Sequence, residues 1–256
     1  MVEKQIKMKT RIGGRKPLKA DLHLHTAEDP CDKVSYTAKE LISKAADEGF
    51  DILAITNHQR LTFNQRLFSY AQERGILLIP GIEVNVRNRH VLLLNPPSGK
   101  VISDFSSLTG LRRPDTLVIA PHPYFPNPHS LNGCLLKNLE LFDALEYCHF
   151  YSPRIDFNQR AIALSKSSGL PLVGSSDTHF LSQFGTTYSL IYAEKTPEAI
   201  FAAIRQSKIE IVTRPLSPLE MGSLLGRFFS MKFHPFSLSG RFLARWRGNY
   251  FDKAAA

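Results

Sequence analysis

A short stretch near the beginning of the chain alternates metal-ligand side chains with leucines. Asp21, His23 and His25 are separated by single leucines and are followed by Thr26. On a β-strand, successive side chains point to opposite faces, so the carboxylate and the two imidazoles would share one face. Imidazole binds zinc, iron, manganese and nickel, and a neighbouring carboxylate either joins the coordination or orients a ring. The stretch predicts a metal site if further ligands come from elsewhere, because an isolated pair of histidines is also typical of an exposed strand end.

Further ligand-type side chains recur along the chain at the ends of runs of β-forming residues. They are His58, Glu83, His122, His149, Asp177 and His179. The carboxyl ends of strands are where α/β folds place their active sites, because the loops that follow can vary without disturbing the core. Together with the opening stretch, these residues place ligand chemistry at six strand ends, which predicts one shared metal centre.

The elements that must position these side chains alternate between short β-type runs and helical segments from Lys19 to about Thr213. One helix is expected to begin after Thr37, since Glu40 three residues later completes a capping box. Another is expected to begin at Pro197, because proline suits the first turn of a helix. The alternation predicts an α/β domain with a largely parallel sheet, either open or closed into a barrel.

Length and composition narrow the class of protein. A chain of 256 residues suits one large domain or two small ones, and an α/β barrel of this length is ordinarily one unit. Hydrophobic residues make up 43% and charged residues 21%, which argues against global disorder. Three widely spaced cysteines argue against a disulfide framework. With neither a signal-like start nor an apolar run that could cross a bilayer, we expect a cytoplasmic protein without a transmembrane segment, of unspecified oligomeric state.

The net charge of +9 is concentrated at the two ends of the chain. Residues 1–20 contribute +6 and residues 214–256 contribute +5, which leaves −2 for the middle. We therefore divide the chain into a basic lead (1–18), a catalytic body (19–213) and a basic, aromatic C-terminal extension (214–256). Basic ends suit nucleic acid, an anionic membrane surface or simple solubility. The aromatic residues of the extension would equally suit packing on the body with the arginines exposed.

Five short motifs together resemble the PHP family, which is named for its polymerase and histidinol phosphatase members. They are DLHLHT at 21–26, AITNH at 54–58, PGIEV at 80–84, APHP at 120–123 and GSSDTH at 174–179. The resemblance covers the chain from about Lys19 to Thr213. It implies a distorted (βα)7 TIM-like barrel, followed here by the C-terminal extension, and two or three divalent ions, manganese, zinc or iron, at the carboxyl end of the strands.

The resemblance also implies roles for individual residues around a first ion. His23, His25, Glu83 and Asp177 would surround that ion, and the carboxylate of Glu83 would bridge to a second one. Asp21 would then support the site from behind or lie near the metal rather than serve as a principal ligand.

The remaining ligands would complete a second and a third ion. His122 would bind the second ion together with a further ligand, for which His149 is the candidate. His58 and His179 would bind the third ion, with a further group expected from the loop after Thr26. That loop offers four candidates, Glu28, Asp29, Cys31 and Asp32.

The chemistry expected of such a centre is hydrolysis. Closely spaced divalent ions lower the pKa of a bound water, orient the resulting hydroxide and neutralise charge on phosphate oxygens. His58, His179 and Asp177 are the catalytic candidates, and either histidine could protonate the leaving alkoxide if it is not fully committed to binding metal. Arg60 and Arg154 follow two of the strand ends and are candidate substrate clamps, because guanidinium matches phosphate with its forked donors.

One residue departs from the family pattern. Many members have aspartate immediately before the histidine that matches His58, whereas this chain has Asn57. The amide keeps the size and hydrogen-bonding reach of the carboxylate, but it lacks the charge and cannot act as a base. If that aspartate transfers protons in relatives, the rate or substrate range of this protein should differ.

The sequence thus predicts a metal-dependent phosphoesterase that hydrolyses a phosphomonoester or phosphodiester in a small metabolite, a nucleotide or a phosphoamino acid. One alternative is a nucleic-acid-associated protein or nuclease that holds RNA or DNA with its basic ends, and salt-sensitive binding would identify it. Another is hydrolysis of an amide or non-phosphate ester, because binuclear centres also activate water against carbonyl groups.

Overall fold

The computed structural model describes residues 4–7, 16–97 and 102–232, with side chains described for 16–97 and 102–227. The strands are β1 (Lys4–Lys7), β2 (Leu18–Leu24), β3 (Ile52–Ile55), β4 (Leu77–Val86), β5 (Arg89–Leu94), β6 (Leu117–Ala120), β7 (Ala144–Cys148), β8 (Leu172–Ser175), β9 (Thr187–Ile191) and β10 (Ile209–Thr213). The helices are α1 (Ala38–Asp47), α2 (Gln65–Glu73), α3 (Gly133–Leu136), α4 (Gln159–Ser168), α5 (Pro197–Arg205) and α6 (Pro218–Lys232).

The described strands form one sheet in the order β1-β10-β9-β2-β3-β4-β5-β6-β7-β8. The pairs β2–β3, β3–β4, β6–β7 and β7–β8 are parallel, and the other five pairs are antiparallel. The expectation of a largely parallel sheet was therefore wrong. One cause is the tight turn between β4 and β5, where Arg87 and Asn88 have φ of 48° and 64°. Two successive positive φ angles match the twist of a hairpin and reverse the chain.

The sheet curls until its parallel end returns to β2 and β9, which gives a nearly closed, barrel-like α/β fold. The hydroxyl of Ser189 in β9 donates to the backbone oxygen of Gly174 in β8 at 2.9 Å and accepts from its backbone N–H at 3.0 Å. A Cβ at position 174 would lie 2.6 Å from Ile211 Cγ2 and 2.9 Å from Tyr188 O, so only glycine permits this close approach. The count of seven βα units stays a prediction.

Helices α1 and α5 begin where the sequence predicts. Thr37 caps α1 in a complete capping box with Glu40, and α5 begins at Pro197 after a Thr196 cap. The two leucines of the opening motif are completely buried. Leu22 belongs to an apolar cluster with Phe201 of α5, and Leu24 to one with residues of α1. Apolar packing of the leucines thus holds β2 in place.

The last described helix, α6, packs against the carboxyl end of the barrel. Leu216 and Leu224 form a buried cluster with Cys148 and Phe150, and Met221 packs against it. All aromatic residues of the 214–256 extension lie outside the residues whose side chains are described, and the predicted domain boundaries remain a prediction. None of the helices in the described ranges is both long and apolar enough to span a bilayer.

Candidate metal centre

The backbone brings ligand-type side chains from five strands, β2, β3, β4, β6 and β8, to one small volume. His23 and His25 come from the end of β2, Glu83 lies within β4, and His58, His122, Asp177 and His179 follow β3, β6 and β8. Two of these residues have left-handed backbone conformations, with φ of 29° at His122 and 46° at Asp177. Such conformations are strained for residues with a Cβ and are common at functional sites.

The first cluster contains His23, His25, Glu83 and Asp177. The two Nε2 atoms lie 3.1 Å apart. Glu83 Oε2 is 3.4 Å from His23 Nε2 and 3.3 Å from His25 Nε2, and Asp177 Oδ1 is 3.3 and 3.4 Å from the same two atoms. Two imidazole nitrogens and two carboxylate oxygens therefore converge, as the sequence predicts for a first ion.

Glu83 is also the meeting point of three further histidines. Its Oε2 lies 3.1 Å from His58 Nε2, and its Oε1 lies 2.8 Å from His90 Nδ1 and 3.5 Å from His122 Nε2. This single carboxylate thus borders imidazoles from β2, β3, β5 and β6. The arrangement matches the bridging position that the sequence analysis expects for Glu83.

His90 was missed by the sequence analysis because it opens its strand. β5 runs antiparallel to β4 with His90 opposite Asn85, so the amino end of β5 lies at the same edge as the carboxyl ends of the parallel strands. A search confined to carboxyl ends therefore passes over it. The available signal was the hairpin itself, which brings His90 back beside Glu83.

The loop after Thr26 contributes two carboxylates with different positions. Asp29 Oδ2 lies 2.8 Å from His25 Nδ1 and 2.9 Å from His58 Nδ1, so it can orient both rings. Asp32 Oδ2 lies 3.0 Å from His179 Nε2 and 3.6 Å from His58 Nδ1. Burial opposes ionisation of Asp29, but its hydrogen bonds to the two imidazoles hold the pKa of its carboxyl well below the usual range.

Two buried carboxylates hold the ligands from behind. Glu146 Oε1 lies 2.8 Å from His23 Nδ1, and its Oε2 accepts from the backbone N–H of His122 at 2.7 Å. Asp21 Oδ1 accepts from the backbone N–H groups of Ser176, at 3.1 Å, and of His23. Asp21 therefore supports the site, and Glu146 is a second residue that the sequence analysis missed. Its signal was a charged residue inside the buried strand β7.

His149 stands apart from the clusters around Glu83. Its Nε2 lies 2.9 Å from Nε2 of Gln183, and its buried Nδ1 has no hydrogen-bond partner among the described residues. Burial lowers the pKa of its imidazole to about 4, so the ring is neutral near pH 7.

Asn57 and the two candidate clamps have local contacts. Asn57 is buried, accepts from the backbone N–H of Thr26 at 2.9 Å and donates to the hydroxyls of Thr26 and Thr62 at 2.8 and 2.7 Å. Arg60 is exposed and donates from Nη1 to a backbone oxygen of the metal-site loop, that of Glu28. Arg154 is also exposed, and the structure gives its guanidinium no contact with the cluster.

The electrostatics of the centre fit a divalent cation. Burial alone would lower the pKa of His23, but Asp177, Glu146 and Glu83 raise it well above its usual range. Burial opposes ionisation of Glu83, yet the imidazoles hold the pKa of its carboxyl well below the usual range. Without an ion, protons must balance the charge of these buried carboxylates. Imidazole and carboxylate donors at such spacing suit a divalent metal ion.

The fold and this donor set define the class of protein. It is a barrel-like α/β protein with a histidine–carboxylate centre at the carboxyl edge of its sheet. The family model for the PHP domain matches residues 21–156, and the model described as PHP-associated matches residues 156–209. The chain belongs to the PHP family.

The chain is also similar to individual proteins. An uncharacterised protein of Methanocaldococcus jannaschii is 26% identical over 141 residues, which are 50% of this chain and 82% of that protein. A solved two-domain protein from Bacteroides vulgatus, described as containing a predicted PHP-like metal-dependent phosphoesterase, has a TM-score of 0.61 at 17% identity, over 88% of this chain and 74% of its own. The lesion-specific endonuclease EndoQ of Pyrococcus furiosus has a TM-score of 0.53 at 16% identity, over 75% and 55%. At these identities, the two structures support the fold alone.

Proposed function

We propose that the protein is a metal-dependent phosphoesterase that hydrolyses a phosphomonoester or phosphodiester. The observation that carries the proposal is the convergence of His23, His25, Glu83 and Asp177. The two imidazole Nε2 atoms lie 3.1 Å apart, and each lies 3.3–3.4 Å from an oxygen of both carboxylates. Membership of the PHP family supports metal dependence and phosphoesterase chemistry. The substrate we propose is a small phosphorylated metabolite, nucleotide or phosphoamino acid, and the cellular location we propose is the cytoplasm.

The residues suit two or three ions of manganese, zinc or iron. The first would be held by the four residues above. The second would be held by Glu83 with His122 and His90, which both face its Oε1, and His149 stays the candidate for a further ligand. The third would be held by His58 and His179 together with Asp32, which the structure places against both rings.

Divalent ions at these positions would activate water and offset the charge of a phosphate group. The protein's own residues then have to orient the rings and handle protons. Asp29 fixes His25 and His58 through their Nδ1 atoms. If only two ions bind, His179 holds no ion. Its Nε2 then faces Asp32, whose side chain is 37% exposed, and is positioned to deliver a proton to the leaving group. His58 is the other candidate for this role, and Asp177 holds the opposite side of the centre.

Substrate binding is proposed for Arg60, because its side chain rests on the loop that carries Asp29 and Asp32. Its exposed guanidinium can offer free N–H donors to a phosphate from that position. Arg154 stays a weaker candidate, since only its position in the sequence supports it.

The test is the simultaneous substitution His23→Ala and Asp177→Ala. We expect loss of bound metal and of turnover of a generic aryl phosphate, with Asp47→Ala on the exposed surface of α1 as the control. Unchanged activity of the double variant after chelator treatment would refute the proposal. Parallel assays on carboxyl esters and amides would reveal the alternative hydrolase if those substrates turn over faster than phosphate esters.

A nuclease is the second candidate, and the observation that favours it is the charge of +6 and +5 at the two ends of the chain. Phosphates of RNA or DNA would be bound by these basic residues and presented to the same centre. The test compares the full chain with a chain lacking residues 1–15 and 233–256. Salt-sensitive binding of an oligonucleotide that is lost on trimming would support a nuclease, and equally poor binding by both chains would refute it.

A further inference from the structure

His90 differs from His23 and His25 in what holds its ring. Nδ1 of His23 lies 2.8 Å from a carboxylate oxygen of Glu146, and Nδ1 of His25 lies 2.8 Å from one of Asp29, so a carboxylate behind each ring fixes its orientation. The ring of His90 contacts the bridging carboxylate through Nδ1 at 2.8 Å, and none of the described residues forms a hydrogen bond with its other nitrogen. Another contact must therefore orient this ring.

The face of the His90 imidazole is covered by the imidazole of His129. The two ring centroids lie 4.7 Å apart with only 7° between the planes, whereas the rings of His58 and His122 meet His90 edge-on. The backbone N–H of His90 also donates to the backbone oxygen of His129 at 2.9 Å. Nδ1 of His129 is buried without a hydrogen-bond partner among the described residues, so the ring acts on its neighbour through its face.

His129 lies in a proline-rich loop, residues 123–132, between β6 and α3. Pro126 and Pro128 restrict the backbone around Asn127, because the pyrrolidine ring fixes φ of each proline and disfavours a helical conformation in the residue before it. The side chain of Asn127 accepts from the backbone N–H of His129 at 2.8 Å. The loop is therefore stiff where it presents the imidazole, and it can hold the ring in one place.

The proline-rich loop is attached to the first residue of β5 and also reaches a second histidine. Nη1 of Arg89 donates to the backbone oxygens of Pro128 at 2.5 Å and of Ser130 at 2.9 Å. The hydroxyl oxygen of Ser130 lies 3.2 Å from Nδ1 of His122, whose Nε2 faces Glu83. One loop therefore contacts both histidines that face Oε1 of Glu83, and it contacts each of them away from that carboxylate.

We propose that His129 and Ser130 are positioning residues for the second ion, His129 by stacking on His90 and Ser130 by holding the ring of His122. The inference rests on the proposed phosphoesterase function, which supplies the second ion. Partners that orient the ring of a ligand histidine contribute to the affinity for the metal. The histidines of the first ion are oriented by separate carboxylates, so the proline-rich loop controls the second ion selectively.

The test titrates the metal-free protein with manganese and measures the number of bound ions and the affinity for each by calorimetry. His129→Ala should weaken the second ion by about tenfold or more and leave the first unchanged. His129→Phe keeps a flat ring without nitrogen atoms, so it should bind the second ion about as tightly as the wild type. Unchanged affinity in His129→Ala would overturn the proposal. Equal losses in both variants would also overturn it, because His129 would then act through a ring nitrogen.

Two further variants complete the titration. Ser130→Ala removes a single hydroxyl group and should also weaken the second ion, so it keeps the proposal testable if His129→Ala does not fold, and unchanged affinity would contradict it. His90→Phe should abolish the same binding step that His129→Ala weakens. A second ion bound normally by His90→Phe, or a wild type that binds a single ion, would overturn the proposal.

Turnover of an aryl phosphate separates positioning from a part in the chemistry. The kcat of His129→Ala should be low at limiting manganese and return toward that of the wild type at saturating manganese, with little change in KM for the substrate. A loss of kcat that manganese does not restore would contradict a positioning role. The titration does not depend on turnover, so a wild type that binds both ions without phosphatase activity would refute the proposed function alone.

Discussion

The two ends of the barrel each bury a carboxylate, and the partners of the two groups are of opposite kinds. At the amino end of β7, Asp143 is 2% exposed and accepts from Arg112 and Arg205, at 3.1 and 3.0 Å, and from the backbone N–H of Val118 at 2.9 Å. At the carboxyl end, Glu83 is 1% exposed and is surrounded by imidazoles. Both groups are buried, but only Asp143 is saturated by permanently protonated donors.

The difference shows that burial of a charge does not by itself indicate a functional site. Guanidinium and backbone N–H groups cannot give up their protons, so they complete the hydrogen bonding of Asp143 permanently. Imidazoles can release theirs and then offer lone pairs to a cation that the carboxylate also attracts. The kind of partner therefore distinguishes a structural carboxylate from a ligand.

The largest effect is expected for Glu83→Gln, which keeps the shape of the side chain and removes the shared charge. Turnover of an aryl phosphate should fall about 100-fold or more, since loss of a residue that merely supports a ligand already costs 10–100-fold. The metal-free protein should stay folded, because the surrounding imidazoles can become neutral. Metal analysis would measure the loss of bound ions, and thermal unfolding would show whether the metal-free protein stays folded. Full metal content in the variant would contradict the role of Glu83 as a ligand.

Asp143→Ala should produce the opposite result. We expect the free energy of unfolding to fall by about 2–3 kcal/mol, because a buried N–H of Val118 loses its partner and two partly exposed arginines lose a shared acceptor. The kcat of the folded protein should change less than about twofold, since the substitution lies at the other end of the strands. Urea unfolding would measure the loss of stability. A large fall in kcat with little loss of stability would contradict a purely structural role of Asp143.

Asn57 lies at the carboxyl end of the barrel, near Glu83, but its hydrogen bonding is complete like that of Asp143. Asn57→Leu should lower the free energy of unfolding by about 1–2 kcal/mol through its three lost hydrogen bonds and leave the metal content intact. Asn57→Asp should be milder, since the hydroxyls of Thr26 and Thr62 can turn to donate to a carboxylate. Metal loss in Asn57→Asp would show that this position influences the ions directly.

The smallest effect is expected at Glu220, a carboxylate partnered by arginine but one-third exposed. The hydrogen bonds from Arg214, followed by those from Ser217, hold its pKa at about 2 against the opposing effect of burial. Because the folded pKa lies below the usual 4.5, this contribution to stability is complete above pH 4.5 and is lost as the pH falls toward 2. Exposure limits it to less than about 1 kcal/mol. Urea unfolding of Glu220→Gln between pH 5 and 3 should show a weaker pH dependence than the wild type.

The sequence was sufficient to predict the parts of the fold and site that depend on local patterns. The capping box at Thr37, the position of Pro197 and the alternation in β2 each follow from neighbouring residues. The convergence of His23, His25, Glu83 and Asp177 followed from the family motifs, whose order implies a shared edge of the sheet.

The unpredicted parts depend on how strands meet in space. His90 required the direction of β5, and the separate positions of Asp29 and Asp32 required the path of a loop with no repeating pattern. Such features arise from tertiary packing, so local sequence patterns carry no signal for them.

The contact between β2 and β8 bears on the order of events during synthesis. The backbone N–H of Ser176, directly after β8, donates to Asp21 of β2, although the two residues are 155 positions apart in the chain. His23 and His25 leave the ribosome early, whereas Asp177 follows only when the barrel is nearly complete. An ion captured by the two histidines alone would lack its carboxylate partner until the last parallel strand joins the sheet. Loading of metal is therefore expected to coincide with the completion of folding and not to precede it.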